Sequence, residues 1–130
     1  MDKVEDVPLK SRKQEVKIGY ETAWALGFEN ASPELQKYAA DKVKSLIDAR
    51  IKDNGATSEQ VDALRQEIDK LFAAKCGQEL KEKFKDVKDK SSFDKVWDPL
   101  NNKGTLLSNA RNAALDEMKS KELGHLITNS

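Results

Sequence analysis

The chain has 130 residues, 23 basic and 23 acidic side chains and therefore no net charge, with 38% hydrophobic and 6% aromatic residues. A chain of this length suits one domain, and it buries enough apolar surface to fold without a disulfide or a structural metal. The charge balance excludes bulk attraction to a polyanion as a driving force, and it excludes an acidic mimic of nucleic acid.

Cys76 is the only cysteine, so no intrachain disulfide can form, which fits a reducing compartment. Residues Met1 to Asp6 lack the apolar stretch of a signal peptide, and no apolar run approaches the ~20 residues that span a bilayer. The expectation is a soluble chain in the cytoplasm or in a viral particle, with no membrane partner.

Ala, Leu, Lys, Glu and Asp are abundant, and there are only three prolines and six glycines. These residue types lose little side-chain freedom in a helix, and no stretch has the period-two alternation of a strand. The predicted fold is all-α: an antiparallel bundle of about four main helices with one or two short ones. Residues 1–10 read as an extended arm carrying Val4, Val7 and Leu9, residues 11–124 as the helical domain, and residues 125–130 as a tail with Leu126 and Ile127.

Taken in chain order, the first helix opens at Ser11, which forms a capping-box pattern with Gln14. Val16, Tyr20, Ala23 and Trp24 make its apolar stripe, which assigns Trp24 to the core, and Gly27 ends it. The second helix has the clearest start, because Ser32, Pro33 and Glu34 supply a cap, a first-turn proline and an acid at the positive end of the dipole. Leu35, Ala39, Val43, Leu46, Ile47 and Ile51 share one face, and Asn54-Gly55 closes the helix. A short connection then leads to Thr57, which with Gln60 forms a second capping box.

Val61, Leu64, Ile68, Leu71 and Phe72 form the third stripe, and apolar spacing continues through Cys76, Leu80, Phe84 and Val87. The later residues lie about a quarter turn from the earlier ones at ~100° per residue. Gly77 stands at the changeover, so the expectation is a break or kink there. A short helix capped at Ser91-Ser92 carries Phe93, Val96 and Trp97 and ends at Asp98-Pro99. The last helix starts near Thr105, carries Leu107, Ala110, Ala114 and Met118, and stops at Leu123-Gly124. Its alanine-rich face suits close packing by another helix.

The search for chemistry is mostly negative. One Cys and one His give no metal-ligand spacing, and neither a phosphate loop nor a dinucleotide fingerprint occurs. No cofactor is expected. Cys76 lies on an apolar stripe and reads as a small hydrophobe rather than a nucleophile, while His125 reads as a solvated residue near a helix end. Glu59, Asp62, Glu67 and Asp69 read as a solvated surface. Among basic stretches, Lys81 to Lys90 is interleaved with acids, whereas Lys10, Arg12, Lys13 and Lys17 have only Glu15 among them.

The favoured function is therefore a non-enzymatic protein-interaction or assembly protein that can self-associate, of a virion, phage or bacterial accessory type. Its expected interface residues are apolar ones outside the helical stripes: Trp97 and Leu100, Leu126 and Ile127, Val7 and Leu9. One alternative is a nucleic-acid-binding regulator that uses Lys10, Arg12, Lys13 and Lys17. Another is a small helical enzyme or ligand carrier built around a concave pocket.

Overall fold

A computed structural model describes residues 21–52 and 54–128. The fold is all-α. Residues 21–25 are helical (α1), followed by α2 (Pro33–Asp48), α3 (Ser58–Lys83), α4 (Lys90–Leu100), α5 (Leu106–Lys119) and a 3-10 turn, Gly124–Leu126. The predicted arm over 1–10 and the start of the first helix at Ser11 lie outside the described residues.

The helix starts follow their local chemistry. The Ser32 hydroxyl accepts from the Leu35 N–H, and Pro33 occupies the first turn. Thr57 and Gln60 complete a reciprocal capping box at 3.1 and 2.9 Å, which satisfies two N–H groups that the helix itself cannot. The cap of α4 lies two residues ahead of the expected Ser91. Asp89, not Ser91 or Ser92, is the cap: its carboxylate accepts from the Ser92 N–H at 2.8 Å, and the Ser92 hydroxyl accepts from the Asp89 N–H at 3.1 Å. Those bonds favour the ionised carboxyl and hold its pKa below the usual range.

Three helix ends depart from the sequence reading. α2 stops at Asp48, and Ile51 leaves the helical face to pair with Ile127 in an isolated antiparallel bridge. The Lys52 N–H donates to the Leu126 carbonyl and the Thr128 N–H to the Arg50 carbonyl. Backbone bonds across the bridge replace those the helix would have made, and burial of Leu126 and Ile127 secures the exchange. Leu126 and Ile127, expected in a tail, are thus packed against the core. α4 passes through Pro99 to Leu100. Proline forfeits one helical bond there, but Phe93, Trp97 and Leu100 recur at helical spacing against the core and hold the last turn. α5 ends at Lys119, ahead of the expected stop. Gly124 instead lies directly on the Lys119 backbone, where any Cβ would overlap it, so only glycine allows the chain to fold back.

The largest difference concerns Gly77. α3 runs unbroken for 26 residues, about 39 Å at 1.5 Å per residue. Leu64, Ile68, Phe72, Cys76 and Leu80 are its buried apolar row. Successive members of an i, i+4 row advance by about 40° around the axis, so the row winds to a new side over the length of the helix. The shift in apolar direction that suggested a kink is this winding. Beside it runs a second row, Asp69, Ala73, Gly77 and Lys81, and α1 lies along it. A Cβ on Gly77 would meet the Ala25 Cβ at 3.6 Å. At the end of α1, Gly27 (φ 87°) has its would-be Cβ 3.3 Å from the Lys81 carbonyl oxygen. A side chain there would meet both backbone strain and a close neighbour.

α5 packs on the other side of α3. Ion pairs Lys75–Glu117 (2.9 Å) and Lys121–Glu67 (3.5 Å) run in opposite sequence directions, as antiparallel neighbours require. The predicted face of α5 is the buried one: Leu107, Ala110, Ala114 and Met118 all face the core, joined by Leu115. At one end of the bundle the Phe93 ring touches four others. Phe28, Tyr38, Phe84 and Trp97 lie with centroids 5.6, 5.6, 5.1 and 5.4 Å away. One α4 residue thereby joins the loop after α1, α2, the end of α3 and its own next turn. The Tyr38 hydroxyl donates to Asp94 at 2.8 Å, which fixes the rim of the same cluster.

Two stability changes should follow. Gly77→Ala should raise stability by about 0.5–1 kcal/mol, because alanine improves helix propensity and its methyl meets Ala25 at ordinary contact distance. Trp97→Ala should lower stability by about 3–5 kcal/mol through loss of a buried aromatic ring. Urea unfolding followed by circular dichroism measures both. A destabilised Gly77→Ala would contradict the unbroken helix.

Candidate functional site

The most distinctive surface lies where α1 meets the second half of α3. On α1 and at the start of the turn after it, Thr22, Ala23, Ala25 and Leu26 are buried, and together they make up the inward side. Residue 24 falls on the opposite side at ~100° per residue. Trp24 is accordingly 46% exposed, and it is the large exposed hydrophobic residue among those described. This corrects the assignment of Trp24 to the core: Ala23 belongs to the buried stripe, but its neighbour does not. The Lys81 ammonium sits 4.0 Å from the Trp24 ring centroid, an attraction of about 0.5–1 kcal/mol at an exposed site. The α1–α3 contact therefore holds the indole at the surface with one neighbour defined.

At the other end of the same contact is a buried carboxylate. Asp69 is 3% exposed, and the Thr22 hydroxyl, itself buried, donates to its Oδ1. The expectation that Asp69 belongs to a solvated surface is overturned, because α1 covers it. Glu59 and Asp62 are exposed as expected. Burial pushes the Asp69 carboxyl up to about 6, the Thr22 bond opposes that rise, and the charge of Glu21 adds to it. A signal for this site was present in the sequence. Asp69, Ala73 and Gly77 fall at i, i+4 and i+8, and small residues in such a row mark the close approach of another helix.

Other candidate chemistry is accounted for by packing. Cys76 is buried, its Sγ lies 3.1 Å from the Phe72 carbonyl oxygen, and burial pushes its thiol up to about 12. A thiol held in that form is a poor nucleophile. His125 is exposed, with Nδ1 3.2 Å from the Glu122 carbonyl oxygen. An open groove of about 460 Å³ runs between the end of α2 and the start of α3, lined by Asp48, Ile51, Ala56, Val61, Asp62 and Arg65 among others. Its charged groups are already joined: Arg65 bonds Asp48 at 2.7 Å and Asp62 at 2.9 Å. Among the described residues, no group of three or more His, Cys, Asp or Glu side chains is arranged to hold a metal ion, and no helix is long and apolar enough to cross a membrane.

Among the described residues, none of the expected interface residues is exposed. Trp97, Leu126 and Ile127 are in the core, and Leu100 is half-buried against it. Trp97 is held by stacking on Phe93, and Leu126 and Ile127 by the bridge to residues 50–52. None of them serves as an exposed anchor, so that assignment is corrected. Val7, Leu9, Lys10, Arg12, Lys13 and Lys17 lie outside the described residues. No family model matches the chain, and it matches no curated protein and no solved structure.

The Asp69 site makes a prediction about pH. Its carboxyl titrates higher in the folded chain, at about 6, than the 3.8 of an unperturbed aspartate. Its contribution to stability is therefore complete below pH 3.8 and is lost as pH rises through about 6. Asp69→Asn should stabilise the chain by on the order of 2–3 kcal/mol at pH 7 and flatten this part of the pH profile. Urea midpoints of the two proteins between pH 4 and 7.5 test it. Parallel profiles would mean that Asp69 titrates normally.

Proposed function

We propose that the chain works by binding protein, as a non-catalytic interaction or assembly module, and that Trp24 is its principal contact residue. The observation that supports this reading is the exposure of the Trp24 indole on a helix whose other face is fully committed to the core. Tryptophan left in water forgoes a large burial gain, and it is among the residues most enriched at the centres of protein interfaces. Lys81 orients the ring without covering it completely. Self-association is the simplest form of this function, with the same surface contributed by two copies.

Light scattering after size exclusion, across a concentration series, tests the proposal on the full chain and on Trp24→Ala. A defined oligomer that Trp24→Ala dissociates supports self-association. If the chain stays monomeric, affinity capture with both proteins as bait follows. A partner retained by the parent and lost at least tenfold by Trp24→Ala supports a heterologous interface, since removing a central aromatic anchor costs about 2 kcal/mol or more. Equal retention by both, or a monomer that captures no protein, overturns the reading. The substitution itself should change folding stability by about 1 kcal/mol or less, the scale of an exposed cation–π contact.

A further inference from the structure

Gly27 separates α1 from a fixed point in the chain. Just beyond it, the Phe28 ring meets Phe84 and Phe93 with centroids 5.7 and 5.6 Å away, and the Phe28 carbonyl oxygen accepts from the Gln36 side-chain amide at 2.9 Å. The chain is thus anchored after Gly27, whose φ of 87° makes the bend. Ahead of Gly27, α1 is held by less. Ala25 lies beside Gly77, Ala23 and Leu26 enter the core, and Lys81 sits over the Trp24 ring. A helix of so few residues does not hold itself in water, so these contacts and the Thr22–Asp69 bond keep it formed. That bond lies at the end of α1 far from Gly27, where a loss of contact frees the most chain.

Asp69 is 3% exposed, and among the described residues its donor is the Thr22 hydroxyl. An ionised carboxylate accepts about four bonds in water, so one donor leaves it poorly solvated under α1. The surrounding charges do not compensate. Glu21, beside Thr22 on α1, adds a like charge. On α3, Arg65 is one turn away but bonds Asp48 and Asp62, Lys70 is exposed, and Lys81 lies over Trp24. The charges that α2 and α5 bring to α3 are those of Asp48, Glu117 and Lys121, and they pair with Arg65, Lys75 and Glu67. Covering Asp69 is therefore costly when it is charged. A protonated carboxyl escapes that cost, because it is neutral and still bonds a hydroxyl.

We propose that α1 is a pH-operated latch on α3, with Gly27 as its pivot: ionisation of Asp69 loosens α1 so that water reaches the carboxylate, and protonation returns it. Loosening takes the Trp24 indole away from Lys81, so the latch regulates the exposed tryptophan surface. That regulatory use rests on Trp24 being the contact residue, whereas the latch itself does not. The Asp69 carboxyl titrates at about 6 when covered and at 3.8 in water. Docking of α1 is accordingly strongest in acid, weakens about tenfold per pH unit between those two values, and changes little above them.

The test is amide hydrogen exchange of the full chain, followed by NMR between pH 4 and 7.5 with and without a low, non-denaturing concentration of urea. The reporters are the Leu26, Gly27 and Phe28 amides, which donate to the Thr22, Trp24 and Ala23 carbonyls. Ile68 and Phe72 on α3 serve as the reference. After correction for the intrinsic pH dependence of exchange, opening at the reporters should rise about a hundredfold from pH 4 to a plateau above about 6. It should also be insensitive to urea, as a local opening is, and faster than the urea-dependent opening of the α3 amides. Asp69→Asn, which keeps an acceptor for Thr22, should remove the rise. Glu21→Gln should bring the plateau to lower pH and reduce opening there severalfold, because it removes a like charge. Exchange of the reporters at the rate and urea dependence of α3, no rise with pH, or an equal rise in Asp69→Asn overturns the latch. None of these outcomes bears on whether Trp24 binds a partner, and loss of the Trp24 reading would leave the exchange result standing.

Discussion

The continuity of α3 is the constraint on which the other elements depend. A 26-residue helix presents more than one face along its length, and two adjacent rows divide the work. Leu64, Ile68, Phe72, Cys76 and Leu80 supply the large apolar side chains of the core. Asp69, Ala73, Gly77 and Lys81 supply a shallower track, small in the middle and polar at the ends, and α1 lies in it. Close approach through the small residues lets Thr22 reach Asp69 at one end and brings Lys81 over Trp24 at the other. A kink at Gly77 would separate these contacts, and the exposed indole would lose its fixed position.

Two further devices close the bundle. The ring of Phe93 touches four aromatic neighbours from α2, α3, α4 and the loop after α1, so a helix of 11 residues is held by a contact surface much larger than its own stripe. At the other side, the pairing of residues 50–52 with 126–128 converts the end of the described chain into a covered edge. Both devices bury apolar side chains that have high sequence separation, which is why the short elements at the periphery are ordered at all.

The polar exceptions to this packing are informative because a helical core has no general use for them. Asp69 is kept by one hydroxyl, and its burial under α1 makes the α1–α3 contact sensitive to proton concentration. Arg111 and Thr128 carry buried polar atoms with no partner in the protein. Each of these groups costs stability relative to an apolar or fully paired side chain at the same place.

Local chemistry made the all-α class and most helix starts legible in the sequence alone. Ser32-Pro33, the Thr57–Gln60 box and Thr105 act through bonds to groups within four residues, and the faces of α2 and α5 follow from spacing on a single helix. What failed depended on contacts between distant residues. Whether Trp24 faces in or out, whether Asp69 is covered and whether Gly77 breaks a helix are all decided by where α1 lies, and helical spacing on either element by itself does not carry that information. Trp97, Leu126 and Ile127 stand outside strong stripes, yet Phe93 and the Ile51 bridge bury them. The opposition of Arg50 and Thr128 arises from the same bridge, formed across more than seventy residues of chain. Short-range hydrogen bonding and periodicity set the elements, and only their packing in three dimensions decided which polar and aromatic groups meet and which remain exposed.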